Sequence, residues 1–240
     1  MEVFIRKFAV MRWTALFLLA MLTGAHAAPC TPHRFDGSSF TVCAFDAKKQ
    51  SLHLTLPPSR GFAGLPAKNV AFGMNAGMFD SSGIPVGLYV ENGKLIHQLN
   101  TQSGDGNFYM LPNGVFSQDA DKKLQIETTQ AYAARKTKPR WATQSGPMLL
   151  IAGKLHPQVS ADGPSRNIRN GACLRDSTHA FFAIGEDAVS FGKLARLFRD
   201  ALKCRDALYF DGYVSGAWIP SEQRMDNRAP LGPIVVVTNR

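Results

Sequence analysis

Four short stretches set side chains capable of chemistry directly beside glycine: Asn75-Ala76-Gly77-Met78-Phe79, Gln144-Ser145-Gly146-Pro147, Arg169-Asn170-Gly171 and Asp211-Gly212-Tyr213-Val214-Ser215. Glycine lets the backbone approach a ligand closely, and the flanking groups offer fixed donors, acceptors and one carboxylate. Taken alone, each stretch reads more readily as an ordinary turn in which Asn, Asp or Ser bonds its own backbone. Taken together, they suggest a site at converging strand ends.

The elements that would position these groups are mostly strands. Phe40, Val42 and Ala44 alternate with polar or outward positions, Ala47 to Gln50 reads as a turn, and Leu52, Leu54 and Leu56 alternate again, which predicts a hairpin. A strand from Val70 towards Met74 leads into Asn75. A second hairpin is expected from Val86 to Gln98, with Asn92-Gly93 supplying the positive φ angles of a type I′ turn. Phe108 to Leu111 and Val115 to Ser117, joined by Pro112-Asn113-Gly114, repeat the pattern; Leu124 to Thr128 adds a strand, and Thr129 to Lys136 a short helix. Met148 to Ile151 and His179 to Ile184 are apolar strands. Ser190 is placed to cap a helix in which Phe191, Leu194, Ala195, Phe198, Ala201 and Leu202 recur at spacings of three and four. Ala207 to Phe210 reads as a buried strand ending at Asp211, and Ile234 to Thr238 as a closing strand. The predicted class is α+β, a largely antiparallel sheet with helices packed on it, in a single domain over residues 28–240.

The first 27 residues read as a signal peptide, with Arg6, Lys7 and Arg12 ahead of the apolar Trp13 to Leu22 and a small-x-small site at Ala25-His26-Ala27. The mature chain is expected to begin at Ala28, in the periplasm or outside the cell. The alternative, lipid attachment at Cys30, fits poorly because Pro29 precedes it. The uninterrupted apolar run is far shorter than the ~20 residues needed to span a bilayer, and no membrane span is expected. The net charge of +9 includes three cations and one acid of the leader, leaving +7 to favour anionic partners. No basic run is interleaved with aromatics, so nucleic acid is not an expected partner. Cys30, Cys43, Cys173 and Cys204 are an even set in a chain bound for an oxidising compartment. Of three possible connectivities, Cys30 with Cys43 and Cys173 with Cys204 keeps each bridge within one compact stretch. A zinc site is the alternative, but no Cys-x-x-Cys or His-x-x-x-His spacing is present, and no metal or other cofactor is predicted.

The four stretches, in this order, resemble the phosphodiester glycosidase family over about Ala71 to Val237. The likeness is to its short exported bacterial members, through Gly106-Asn107-Phe108-Tyr109, Pro112-Asn113-Gly114-Val115-Phe116, Leu197-Phe198-Arg199-Asp200 and Ala207-Leu208-Tyr209. Ala76 departs from a family glycine, and Tyr213-Val214 from two further glycines of the Asp-Gly loop. The resemblance implies hydrolysis of a sugar-1-phosphodiester in an envelope or extracellular glycoconjugate. Such chemistry needs charge control more than acid assistance, because the departing phosphate monoester is already a good leaving group. On that reading Asp211 is the functional carboxylate and Glu186 its partner, while Arg169, or else Arg166, grips the phosphate through two parallel bonds. Asn75, Gly77, Ser145, Asn170, Gly212 and Ser215 complete the binding surface. Ser215 is not expected to be a nucleophile, since Gly-x-Ser-x-Gly is absent and no histidine is an obvious base. The rival reading keeps the fold but makes the protein a glycan-binding or envelope-interaction factor without turnover.

Overall fold

Residues 28–57, 61–136 and 138–240 are described in a computed structural model. The expected leader over residues 1–27 lies outside the described residues. Alternating and doubly buried strands assemble into three sheets, in which every neighbouring pair is antiparallel. The largest runs in the order β1 (Cys30–Phe35), β2 (Ser38–Asp46), β13 (His179–Gly185), β12 (Asn170–Leu174), β14 (Asp206–Tyr209), β10 (Met148–Ile151) and β11 (Lys154–Leu155). A second holds β16 (Arg224–Met225), β15 (Ala217–Ile219), β4 (Val70–Asn75), β17 (Ile234–Asn239) and β3 (Gln50–Thr55). The third holds β6 (Lys94–His97), β5 (Tyr89–Glu91), β9 (Trp141–Ser145), β7 (Gly114–Gln118) and β8 (Leu124–Thr128). Helices are few, and the class is α+β as expected.

One core serves all three sheets. The Phe182 ring of β13 meets Phe72 of β4 at 5.4 Å and Phe116 of β7 at 5.8 Å, so a single side chain fastens the sheets together. Burying a ring of this size contributes about 1.5–3 kcal/mol. The opposite face of the seven-stranded sheet is covered by α2 (Phe191–Arg196), whose Leu194 and Ala195 pack on Phe40, Val42, Leu149 and Ala183. Ser190 caps α2 by accepting from the Lys193 N–H at 3.0 Å, as its type predicts. Beyond Arg196 the helix widens into a π turn over Leu197–Ala201, with the Leu202 N–H bonded to the Leu197 carbonyl. The shorter α1 (Thr129–Arg135) is capped in the same way by Thr128.

Two expected hairpins fare differently. At Asn92-Gly93 both residues have positive φ, 51° and 77°, and join β5 to β6 as predicted. Ala47 to Gln50, in contrast, does not close a hairpin: β2 pairs with β1 and β13, and β3 with β17. The turn carries the chain from one sheet to another, because Leu52 and Leu54 find their apolar partners on Val235 and Val237 of the second sheet. Phe108 to Leu111 is likewise not a strand. Asn107–Tyr109 is a 3₁₀ turn that buries Phe108 and is held by the Asn113 amide on the Phe108 carbonyl at 2.9 Å.

The cysteines form the two expected disulfides, Cys30–Cys43 and Cys173–Cys204, leaving no thiolate for the zinc alternative. Cys30–Cys43 fixes β1 on β2, where the same two residues are register partners. Replacing both by serine should cost about 3 kcal/mol, the chain-entropy value for a loop of this length. The urea midpoint of the double variant measures it.

Candidate active site

The four glycine-flanked stretches meet at one end of the fold. Asn75, at the end of β4, and Asn170, at the start of β12, bond each other across the two sheets. The Asn170 amide donates to the Asn75 carbonyl and to its Oδ1, each at 2.9 Å. Asn75 in turn donates to the Asp211 carbonyl at 2.9 Å and accepts from the Gly216 N–H at 2.9 Å. The Ser215 hydroxyl donates to Asn170 Oδ1 at 3.1 Å. All three side chains are buried, and they hold the Asp211–Ser215 loop from both ends. The three side chains expected to bind substrate thus bond one another and the loop backbone in the interior.

Gly77 seats the first stretch on the third sheet, because a Cβ there would collide with the Thr143 hydroxyl and the Gln144 carbonyl. The second stretch reaches β14 through the Tyr209 N–H on the Pro147 carbonyl at 3.1 Å. Between them Ser145 is fully buried, and its hydroxyl has no hydrogen-bond partner among the described residues.

Residue parity puts Arg169 on the opposite face of β12 from Asn170, against α2. It is 1% exposed. Its Nε donates to the Val189 carbonyl at 2.9 Å, one terminal nitrogen to the Tyr209 hydroxyl at 3.2 Å, and the other to the Ser165 hydroxyl at 3.1 Å. The guanidinium lies 3.6 Å from the Phe191 ring centroid and makes no ion pair among the described residues. Burial lowers its pKa, against a raising effect of Tyr209. Arg166 is instead exposed and pairs with Asp162 at 3.0 Å.

Tyr209 connects this buried cation to the loop. Its hydroxyl receives Arg169, and Gly212 packs so tightly on that oxygen that no Cβ would fit. Burial pushes the phenol up to about 12, with Arg169 opposing and the Asp211 charge adding to the rise. It therefore stays protonated at neutral pH. Asp211 follows at the strand end, partly buried, with the Tyr213 N–H donating to its Oδ1 at 3.2 Å. Loss of water raises its carboxyl pKa and that single backbone bond lowers it less. The Tyr213 side chain itself is 92% exposed beside it.

Glu186 makes no hydrogen bond or ion pair with Arg169, Tyr209 or Asp211 among the described residues. Its carboxylate accepts from the Thr41 hydroxyl at 2.7 Å and from Arg224, whose other nitrogens hold Asp226. Thr41 pairs with Ile184 in the sheet, which puts Glu186 on the Asn170 face, whereas Tyr209 and Arg169 occupy the other. Sequence reasoning missed Tyr209, although its position two residues ahead of Asp211 puts both on one face of a strand. Among the described residues no group of three or more His, Cys, Asp or Glu is gathered to hold a metal ion.

The sequence profile of the phosphodiester glycosidase family matches residues 68–238, which contain all four stretches. The chain belongs to that family. This family member is 36% identical to the uncharacterized protein YigE of Escherichia coli (strain K12) over 156 residues, 63% of this chain and 61% of that protein. The match thus spans less than two thirds of that relative. Among solved structures it is similar to the catalytic domain of zebrafish N-acetylglucosamine-1-phosphodiester α-N-acetylglucosaminidase, auto-inhibited by its pro-peptide. The TM-score is 0.60 at 12% identity, covering 88% of this chain and 81% of that one. A Burkholderia pseudomallei protein described as exported gives 0.57 at 11% identity, covering 84% and 74%. At these identities the shared feature is the fold.

Proposed function

We propose that the protein is an exported hydrolase that cleaves a sugar-1-phosphodiester bond in an envelope or extracellular glycoconjugate. The observation that carries this reading is the Asp211 carboxylate, partly buried at the meeting point of the four stretches and free of any cation partner among the described residues. Water would add its oxygen to the anomeric carbon, the bond from that carbon to the phosphate oxygen would break, and a proton would be released. The products are a free sugar and a phosphomonoester. Asp211 would stabilise the oxocarbenium-like centre or take the proton from water. Because the phosphomonoester leaves readily, one carboxylate suffices where ordinary glycoside cleavage uses two. Arg169 would act from behind, holding Tyr209 and through it the Gly212 backbone, while the exposed Tyr213 ring offers a flat apolar face for a sugar. Two disulfides support export, since such bonds persist in oxidising compartments.

Engagement of Glu186 by Arg224 and Thr41 favours the second reading, a glycan-binding protein without turnover, to the extent that two carboxylates are required. Incubating the mature chain with UDP-N-acetylglucosamine and a panel of synthetic sugar-phosphodiesters separates the two. Released sugar, read by mass spectrometry, supports hydrolysis; saturable binding with no release across the panel supports the second reading.

A further inference from the structure

The strands that carry the candidate site have a second end of different character. Asn170, Gly185 and Ile234 mark the Asp211 end of β12, β13 and β17; Leu174, His179 and Asn239 mark the other. At that far end a cavity of about 950 Å³ opens between the two sheets. At about 3.3 Å per residue, the length of β13 puts it roughly 20 Å from the candidate site.

The cavity is lined by the basic side chains of Lys48, Lys49, Arg175, His179 and Arg240, with Asp46 as its one acidic side chain, and His179 is also paired with Asp176 at 2.9 Å. Asp46 is already committed: it lies 3.9 Å from Lys49 and 3.8 Å from His179, and it accepts the Lys48 N–H at 2.8 Å. Lys48, Arg175 and Arg240 have no carboxylate partner among the described residues. Arg34, Arg140, Arg205 and Arg228 are likewise without one, so what sets these three apart is that they line a single cavity. Two of the three uncompensated cations are also held in place. Arg175 stands 4.9 Å over the Phe181 ring, and Arg240 donates to the Ser51 hydroxyl and the Lys48 carbonyl at 3.2 and 3.3 Å.

We propose that this cavity is a second, non-catalytic site for an anion carrying closely spaced phosphates. Guanidinium forks match phosphate oxygens in pairs, and a concave wall with uncompensated cations concentrates such an anion. A cavity, rather than a flat basic face, suits a chain laid into it and not a bilayer surface. That the natural ligand is a remote segment of a phosphate-bearing glycopolymer rests on the proposed function; the anion site itself does not.

The test is a titration of the ¹⁵N-labelled mature protein with inorganic tripolyphosphate, followed by amide shifts. Saturable shifts are expected at Lys48, Arg175 and Arg240, with Asp211 and Gly212 unmoved. Lys48→Ser combined with Arg175→Ser should weaken binding by about tenfold or more, while Lys94→Ser with Lys123→Ser, which removes the same charge elsewhere, should change it less than about twofold. Hydrolysis of a small sugar-phosphodiester should be equal in both double variants, so loss of activity and loss of the anion site are read separately. Equal weakening by the two pairs would assign the effect to net charge and overturn the proposal. Binding to phosphatidylglycerol vesicles without any tripolyphosphate shift would overturn it in favour of a membrane surface.

Discussion

Asp211→Asn is expected to lower turnover of a sugar-1-phosphodiester by about a hundredfold or more while the protein stays folded. Asparagine retains an oxygen for the Tyr213 N–H and alters none of the Asn75 and Ser215 bonds to the loop backbone, so geometry survives and only the charge is lost. The stability effect has a definite sign. Asp211's pKa is raised in the folded protein, so its contribution is fully favourable below the ordinary carboxyl value and is lost as pH rises through the folded one. At neutral pH the native protein therefore carries the cost of a desolvated charge. The variant should melt at or above the native temperature at pH 7, and the difference should close on acidification. Wild-type kcat/KM should rise with pH through the same raised value, and the variant's residual activity should lack that limb.

Arg169→Lys is expected to cost about 1.5–3 kcal/mol of stability, the range for hydrogen bonds of a charged group, because lysine cannot keep all of the acceptors. Lysine reaches as one point. It cannot donate at once to the Val189 carbonyl, the Tyr209 hydroxyl and Ser165, nor lie flat on Phe191. A residue that only clamped phosphate at the surface would behave differently, raising KM with no change in the denaturation midpoint. Measuring both on one preparation separates a cation that builds the site from one that touches substrate. A raised KM with an unchanged midpoint would return Arg169 to the role its sequence context first suggested.

That reversal illustrates which features were legible in the sequence. The position of Asp211 could be read because a short apolar run ends on it, and the type I′ turn at Asn92-Gly93 because its geometry is local. Strand β12 could not, since Asn170-Gly171-Ala172-Cys173 is buried on both faces and shows no alternation, and β9 hides Thr143, Gln144 and Ser145 in the interior. The partner of β3 is β17, roughly three quarters of the chain away, and no local pattern encodes that pairing. Arg169 reads as a surface cation until Phe191 and Val189 fold over it. Glu186 looked available because Arg224 and Thr41, distant in sequence, could not be seen to claim it. The disulfides were recoverable because compartment and spacing restrict them strongly.

Hydrolysis in ¹⁸O-labelled water distinguishes cleavage of the bond from the anomeric carbon to the phosphate oxygen from attack at phosphorus. With any substrate of the panel that is turned over, mass spectrometry of both products shows which one acquires the heavy oxygen. Label is expected on the sugar hydroxyl and none in the phosphomonoester. Label in the phosphate would mean attack at phosphorus, and would contradict a glycosidase mechanism built on Asp211.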